Sequence, residues 1–471
     1  VQAFDIVHVQ HERPHLLDAL IGVGIFVFCL IGIQSRVLFE LASIWPANAA
    51  FLSVLIVFRL KGSMAVWLYA AFAYVAADLL TGATLDKSVL LNLANLGGVA
   101  VGAIAASTLR DDVILFQRPI DTLLLTLTMM AASAATATFG AIASAIVSDL
   151  QAPDAFALWF SSELVNYASF TPFFILLLRH IFENKKTEHA EMPYSGMQLA
   201  AVASLALSLV VTHVLGGPGA SAICLPALLW CAVCMPPVFA SGLTSMTVVW
   251  LLIAGPLQLI PWGFSLHSPL DLSSFRFGLA MVALGPFAVI GVNIAWLSIK
   301  QTLKFAATHD SLTGLMNRSA FLETAKLGVS RRNESTYSLM IIDIDHFTSI
   351  NTSHANQMRD KVLCGVAQLL IRKIRRGDIV CRLGGQQFAV AMPGTPLDEA
   401  TVGAERLRNE VSRLEIMAPY GVPVPLNVSI GITSRTNDVF DIEQLLGTAD
   451  AALLEAKSGS RNAVVDRRAI S

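Results

Sequence analysis

The residues with most to offer chemically stand in three places. Asp343, and Asp345 just beyond it, end the apolar run YSLMIIDI (337–344) at a turn, where carboxylates usually serve a ligand rather than a core. RLGGQQF (382–388) enters a turn at Gly384 and Gly385 and leaves it through an apolar strand, with two amides, Gln386 and Gln387, where carboxylates would be sought. Hard cations such as Mg²⁺ want charged oxygen ligands; an amide oxygen can ligate, but it is neutral and takes no proton. An amide in place of a carboxylate brings one full charge less to a cation. The third place is Arg375 and Asp378, an R-x-x-D pair with five residues between Asp378 and Gly384. It sets a planar donor fork beside a charged acceptor. Arg372, Lys373 and Arg376 stand around it, so an exposed basic helix end is the competing reading.

The elements that must hold these residues change character along the chain. Of 471 residues, 55% are hydrophobic and only 14% charged. Soluble domains carry roughly 25% charged residues, so much of the chain belongs in lipid. A net charge of -2 gives no reason to expect a nucleic-acid partner. The first segment (1–15) is unlike a signal peptide, and Val1 in place of Met is what a trimmed chain would show. Ten apolar runs of spanning length follow within 16–298: 16–34, 46–60, 63–82, 88–109, 121–147, 154–178, 196–215, 221–236, 238–258 and 275–298. The joint at Met235-Pro236-Pro237 is weak, which leaves eight or nine spans open as well. Six cysteines make no disulfide framework, and Cys231-x-x-Cys234 inside an apolar run reads as packing.

With the N-terminus inside, the inner loops hold Arg13, Arg59, Lys61, Arg110, Arg118, Arg179, Lys185, Lys186, Lys300 and Lys304. The outer loops hold Arg36, Lys87 and Arg276. That asymmetry puts the N-terminus and the C-terminal part together in the cytoplasm. Within the runs, Trp45, Asn48, Asp78, Asn92, Asn95, Glu163 and Asn166 all fall toward the outer side. Embedded Asp and Glu are expensive and usually functional, whereas Asn often joins helices. A ligand-sensing pocket and plain packing are both open readings.

Past residue 300 charges return. YSLMIIDI (337–344), IVCRL (379–383), FAVAMP (388–393) and PLNVSIGIT (425–433) read as strands. Residues 360–375, 398–415 and 442–457 show helical spacing. The joint WLSIKQTLKFAATHD (296–310) reads as the last membrane helix running on, with 299–308 as a linker helix. Residues 309–471 make an α/β domain long enough for its own core.

HDSLTGLMNRSAF (309–321), IIDIDHF (341–347), RLGGQQF (382–388), NVSIGIT (427–433), AD (449–450) and AKSGSRNAV (456–464) resemble, in order and spacing, the GGDEF domain of the diguanylate cyclases and their degenerate relatives. The resemblance implies a nucleotide-cyclase-like fold, a mainly antiparallel sheet flanked by helices, behind a polytopic α-helical membrane domain. It implies two GTP molecules joined into cyclic di-GMP across a dimer, with Mg²⁺ ions against the phosphates. Asp343 and the carbonyl of Ile344 would ligate metal, Asn351 and Asp360 would read guanine, and Lys457 and Arg461 would hold phosphates. The R-x-x-D pair matches the spacing of the family's inhibitory cyclic di-GMP site. There Arg375 would meet a guanine edge or phosphate, Asp378 would accept from guanine N1 and N2, and Arg406 would add a second contact.

Departures from the family pattern are many. Gln386 replaces a metal-binding carboxylate and Gln387 a Glu implicated in the reaction. Thr348 replaces a phosphate-binding Lys, Thr352 an Asp, Ala355 a Gly, Asn356 a His and Arg359 a Gly. Losing one key catalytic group typically costs several orders of magnitude. The expectation is a domain that keeps the shape, binds cyclic di-GMP and turns over no GTP. A weak cyclase and a contact-only scaffold or heterodimer partner are the alternatives. Mg²⁺ is expected only if nucleotide still binds at the turn. The partners implied are cyclic di-GMP, GTP if the turn retains it, a second subunit and an effector protein. The membrane part, through SIWPANAAFL (43–52), NLANL (92–96) and W-F-x-x-x-L (159–164), resembles the first family of bacterial membrane-associated sensor domains, which implies the bacterial inner membrane.

Overall fold

A computed structural model describes residues 14–38, 41–60, 63–108, 116, 118–147, 150–182, 195–217, 219–263, 266, 268–332, 336–347, 355–375, 377–417, 423–435 and 441–468. The chain divides into two compact units, residues 1–299 and 300–471.

The first unit is helical, as its long apolar runs dictate. Its helices are α1 (Pro14–Gln34), α2 (Pro46–Phe58), α3 (Met64–Leu80), α4 (Leu85–Ser107), α5 (Pro119–Val147), α6 (Ala152–Phe182), α7 (Ser195–Leu215), α8 (Leu225–Cys234), α9 (Pro237–Ala254) and α10 (Pro269–Thr308). A short ribbon, β1 (Arg36–Leu38) and β2 (Leu41–Ala42), joins α1 to α2. Each of the ten expected runs falls on a helix. Among the described residues, seven helices are long and apolar enough to cross a membrane, whereas α2, α3 and α8 have 13, 17 and 10 residues.

The shortness of α2 has a physical reason. It rises only ~20 Å, against a hydrocarbon core of about 30 Å. Ten of its 13 residues are buried, the mark of a helix that is apolar all round and belongs inside a bundle. It packs against α1, α4 and α6. Gly98 lets α4 close on α5, since a Cβ there would strike Thr136. Cys231 and Cys234 are buried free thiols on α8. Two of the charges assigned to outer loops lie elsewhere. Lys87 is in the first turn of α4, and Arg276 is inside α10 and only 2% exposed.

The second unit is built on β3 (Met316–Asn317), β4 (Tyr337–Ile344), β5 (Ile379–Gly384), β6 (Gln387–Pro393), β9 (Val428–Arg435) and β10 (Val464–Arg468). They form one six-stranded sheet in the order β10-β9-β4-β6-β5-β3. The centre is antiparallel and the two edge pairs, β10–β9 and β3–β5, are parallel, so the sheet is mixed. Its helices are α11 (Arg318–Arg332), α12 (Ala355–Lys373), α13 (Leu397–Ser412) and α14 (Ile442–Ser458).

Strand β4 is buried at all eight positions because both sheet faces are covered. Met340, Ile342 and Ile344 pack with residues of α12 and α13, while Leu339 and Ile341 pack with α11 and α14. The two-residue alternation therefore puts Asp343 on the α14 face, where Lys457 waits. Against expectation, the strand at 425–433 starts at Val428, and the helix at 398–415 stops at Ser412. The residues beyond Ser412 feed a separate ribbon, β7 (Ile416–Met417) with β8 (Pro423–Val424), that periodicity does not reveal.

Candidate functional site

Asp343 sits opposite Gln387 on one side and Ser429 on the other, so the sheet register brings the Gly-Gly hairpin to the end of β4. The hairpin needs its glycines: Gly384 has φ 146° and Gly385 φ 52°, where side chains with a Cβ are strained. Arg382 staples the turn. Its Nε and one terminal nitrogen donate to the Gly385 carbonyl at 3.0 and 2.7 Å, and its other terminal nitrogen reaches both oxygens of Asp310 at 3.0 and 3.1 Å. Burial works against the charge on Asp310, but hydrogen bonds from Thr313 and Arg382 outweigh it and hold the carboxyl below its ordinary value. Both Arg382 and Asp310 lie in recognisable motif blocks, yet only the fold shows what they do.

The hairpin delivers an amide to a carboxylate. Gln386 Nε2 donates to Asp343 Oδ1 at 2.8 Å, and Lys457 Nζ lies 2.7 Å from Asp343 Oδ2. Asp343 is 2% exposed, so its charge is met inside the protein. Asp345 is also committed. Ser429 Oγ donates to its Oδ1 at 2.8 Å and the Asn462 backbone N–H to its Oδ2 at 2.9 Å. That second bond fixes a turn in which Arg461 and Asn462 both have positive φ. Asp345 thus holds the loop that presents Arg461, a structural task.

These donors do not fit a pair of Mg²⁺ ions. Both oxygens of each aspartate are occupied by N–H or O–H donors, the Asp343 charge is balanced by Lys457, and the hairpin adds no carboxylate. No cluster of three His, Cys, Asp or Glu able to hold a metal exists among the described residues. Asp360 and Arg461 are exposed. Asn351, with Thr348 and Thr352, lies outside the described residues.

At the R-x-x-D pair, the resemblance implies that Arg375 and Asp378 both turn toward a bound nucleotide. The structure closes them on each other instead. Arg375 Nε donates to Asp378 Oδ1 at 3.1 Å, and the Arg375 backbone N–H reaches Asp378 Oδ2 at 3.3 Å. A terminal guanidinium nitrogen donates to the Pro393 carbonyl at 2.6 Å and Thr395 Oγ1 at 2.7 Å, tying this turn to the end of β6. Arg375 keeps a side-chain exposure of 54% and Asp378 only 7%. The exposed Arg406 lies on the same side as the end of α12: Lys373 pairs with Glu410 at 3.0 Å and, with Arg413 and Arg406 adding their charges, holds that carboxyl below its ordinary value.

In the first unit, all seven polar residues read from the apolar runs fall in one hydrogen-bonded chain. Asp78 Oδ2 accepts from Asn92 at 2.8 Å, and Asn95 donates to Asn92 at 3.1 Å. Asn48 donates to Asn95 at 3.0 Å and to Glu163 Oε2 at 2.9 Å. The Trp45 indole donates to Asn48 at 3.2 Å, and the Trp45 backbone N–H donates to Asn166 at 2.7 Å. Tyr74 and Arg36 join the chain, on Asn48 at 2.6 Å and on Asp78 at 3.1 Å. Trp45, Asp78, Asn92, Asn95 and Glu163 line a cavity of about 430 Å³, large enough for a small molecule. Sequence reading missed Arg36 and Arg276 because a charge near a helix end looks like a loop charge. The buried Arg276 donates to the Ala42 carbonyl at 3.2 Å.

A unit of helices long and apolar enough to cross a membrane and an α/β unit with a Gly-Gly hairpin against an aspartate strand define a class of membrane-type protein with a nucleotide-cyclase-like domain. The family described as "Diguanylate cyclase, GGDEF domain" matches residues 307–463. The probable diguanylate cyclase DgcF of Escherichia coli O157:H7 is 28% identical over 96% of this chain and 95% of its own length. DgcF of Escherichia coli strain K12 is 31% identical over 57% of this chain and 86% of its own. Among solved structures, the coiled coil and GGDEF domain of DgcB from Caulobacter crescentus in complex with c-di-GMP is 28% identical, with a TM-score of 0.34, over 36% of this chain and 92% of its own. The chain belongs to the GGDEF diguanylate cyclase family.

Proposed function

We propose that this protein is a membrane-bound sensor in cyclic di-GMP signalling whose GGDEF domain no longer makes the nucleotide. The observation that carries the reading is the closed cluster of Asp343, Gln386 and Lys457, in which an amide and an ammonium take the oxygens that Mg²⁺ would need. Without a divalent cation at that strand, nothing lowers the pKa of an attacking hydroxyl or absorbs the charge of leaving pyrophosphate. Asp360, Lys457, Arg461 and Asn351 remain candidates for holding GTP without reaction. The membrane unit lies in the inner membrane with the GGDEF domain in the cytoplasm, a placement supported by the Lys and Arg distribution.

The output is cyclic di-GMP binding at Arg375, Asp378 and Arg406. Arg375 retains an exposed face, and the closed turn must open its ion pair to engage a guanine. That cost favours a second reading, a contact-only partner in which Arg375 is spent on Pro393 and Thr395.

The experiment offers GTP and Mg²⁺ to the full chain in lipid and follows product by chromatography. No cyclic di-GMP is expected; product that disappears with Asp343→Ala would sink the reading. Titration calorimetry with cyclic di-GMP then separates the two outputs. Binding that weakens ~100-fold or more in Arg375→Ala and Asp378→Ala supports the receptor. No binding at tens of micromolar ligand leaves the contact-only partner. A reporter fused after Lys304 and active only in the periplasm would reverse the orientation.

A further inference from the structure

We infer that the cavity of the membrane unit is a binding site for a small zwitterion of amino-acid type, with its ammonium on Glu163 and its carboxylate on Arg36. This rests on the sensor half of the function above and is independent of what happens at the GGDEF turn.

The first argument is an unspent acid. Glu163 is 3% exposed, lines the cavity, and uses only Oε2, which accepts from Asn48. Among the described residues, Oε1 accepts no hydrogen bond. The buried Arg276 already acts on the Glu163 charge electrostatically but donates to the Ala42 carbonyl. What Oε1 lacks is therefore a hydrogen-bond donor, costly in an apolar bundle, and a positively charged group in the cavity can supply it. The Trp45 and Trp159 side chains share the lining, and indoles favour a cation nearby.

Asp78 cannot serve the same purpose. Its Oδ1 pairs with Arg36 and its Oδ2 with Asn92, so it positions the guanidinium rather than waiting for a ligand. Arg36 spends one terminal nitrogen on that pair and keeps other donors that no described residue takes. The cavity therefore has an acidic pole at Glu163 and a basic pole at Arg36.

Charge balance selects the ligand class. The residues that line the cavity carry Arg36 and Lys87 against Asp78 and Glu163, with Arg276 buried outside the lining and acting on Glu163 electrostatically, so a ligand in the cavity meets two charges of each sign. A lone cation or a lone anion would satisfy one pole and leave an unmatched charge; a neutral ligand with separated charges satisfies both. Arg36 lies on the ribbon that joins two helices and Lys87 in the first turn of α4, so both sit at helix ends. Helix ends of a membrane bundle face water, which favours a solute over a lipid headgroup with the same ammonium-and-anion chemistry.

The test uses the full chain reconstituted in phosphatidylglycerol bilayers, which lack ethanolamine headgroups. Each of the proteinogenic L-amino acids is titrated to ~10 mM, with tryptophan fluorescence and thermal unfolding as readouts. Saturable binding of at least one is expected. Its decarboxylated amine and its deaminated acid should each bind at least ~10-fold more weakly. Glu163→Gln should weaken the amino acid and the amine while sparing the acid. Arg36→Gln should weaken the amino acid and the acid while sparing the amine. The analogue series on wild-type protein decides the matter alone if a variant does not fold. No saturable response to any amino acid, equal binding of amine or acid, or a response that appears only when phosphatidylethanolamine is supplied would each overturn the inference.

Discussion

Replacing Lys457 by Met keeps the length of the side chain but removes the ammonium 2.7 Å from Asp343 Oδ2. The aspartate then keeps its charge in a buried position with a single neutral donor, Gln386, at 2.8 Å. Breaking a fully buried ion pair costs about 3–5 kcal/mol. Here the Lys457 side chain is 28% exposed and the Asp343 side chain 3%. Water at the lysine end replaces part of the lost interaction, which lowers the expected cost to about 2 kcal/mol, or ~30-fold in the opening equilibrium. Hydrogen exchange by mass spectrometry on the intact protein reads this directly, in peptides covering β4. Adding Asp343→Asn to the same variant removes the stranded charge and leaves an oxygen for the Gln386 amide, so protection should return to within ~1 kcal/mol of wild type. Unchanged protection in Lys457→Met would refute the reasoning. So would a gain of wild-type protection in millimolar Mg²⁺, since the metal would then be displacing the ammonium.

Three further outcomes follow from the same geometry. Gln386→Glu puts a second carboxylate beside Asp343; Mg²⁺ should protect β4 in this variant and not in wild type, as hydrogen exchange with and without the metal will show. Asp310 has its carboxyl held below the ordinary value of 3.8 in the folded protein. Its contribution is therefore full above that value and lost as pH falls through the lower folded value, a loss that Arg382→Met should reduce in acid titrations of stability. Gly431→Ala drives a Cβ into the backbone of α14 at Ala449 and Leu453; a loss of about 2–3 kcal/mol is expected by hydrogen exchange of β9, and a neutral result would mean that strand and helix are not in contact there.

Much of this protein is legible in its sequence, for reasons that differ from part to part. Apolar length alone marks the helices of the first unit, because lipid demands continuous apolar surface. It does not say which of them cross: α2 is apolar throughout yet only 13 residues long, and burial inside the bundle, invisible to hydropathy, accounts for it. The seven polar residues stood out because each violates an apolar run. Their union into one chain depends on helix rotation, which brings Asn48 to Glu163 across 115 residues of sequence. Arg36 and Arg276 escaped because their charges lie near helix ends, where a loop is the ordinary home.

In the second unit, motif spacing placed Gly384, Gly385 and the two glutamines at a hairpin, and strand alternation put Asp343 on one face. Sequence also shows two amides and no carboxylate in the turn. Only the tertiary structure decides which groups they meet. Sheet register sets Gln387 against Asp343, and α14 supplies Lys457 from the same face. An amide can turn either its oxygen or its N–H₂ toward a neighbour, and the buried carboxylate opposite makes the N–H₂ the stable choice. The same reason closes Arg375 on Asp378: two opposite charges three residues apart pair when the end of β6 offers the guanidinium further acceptors, and no spacing rule reports where that strand ends.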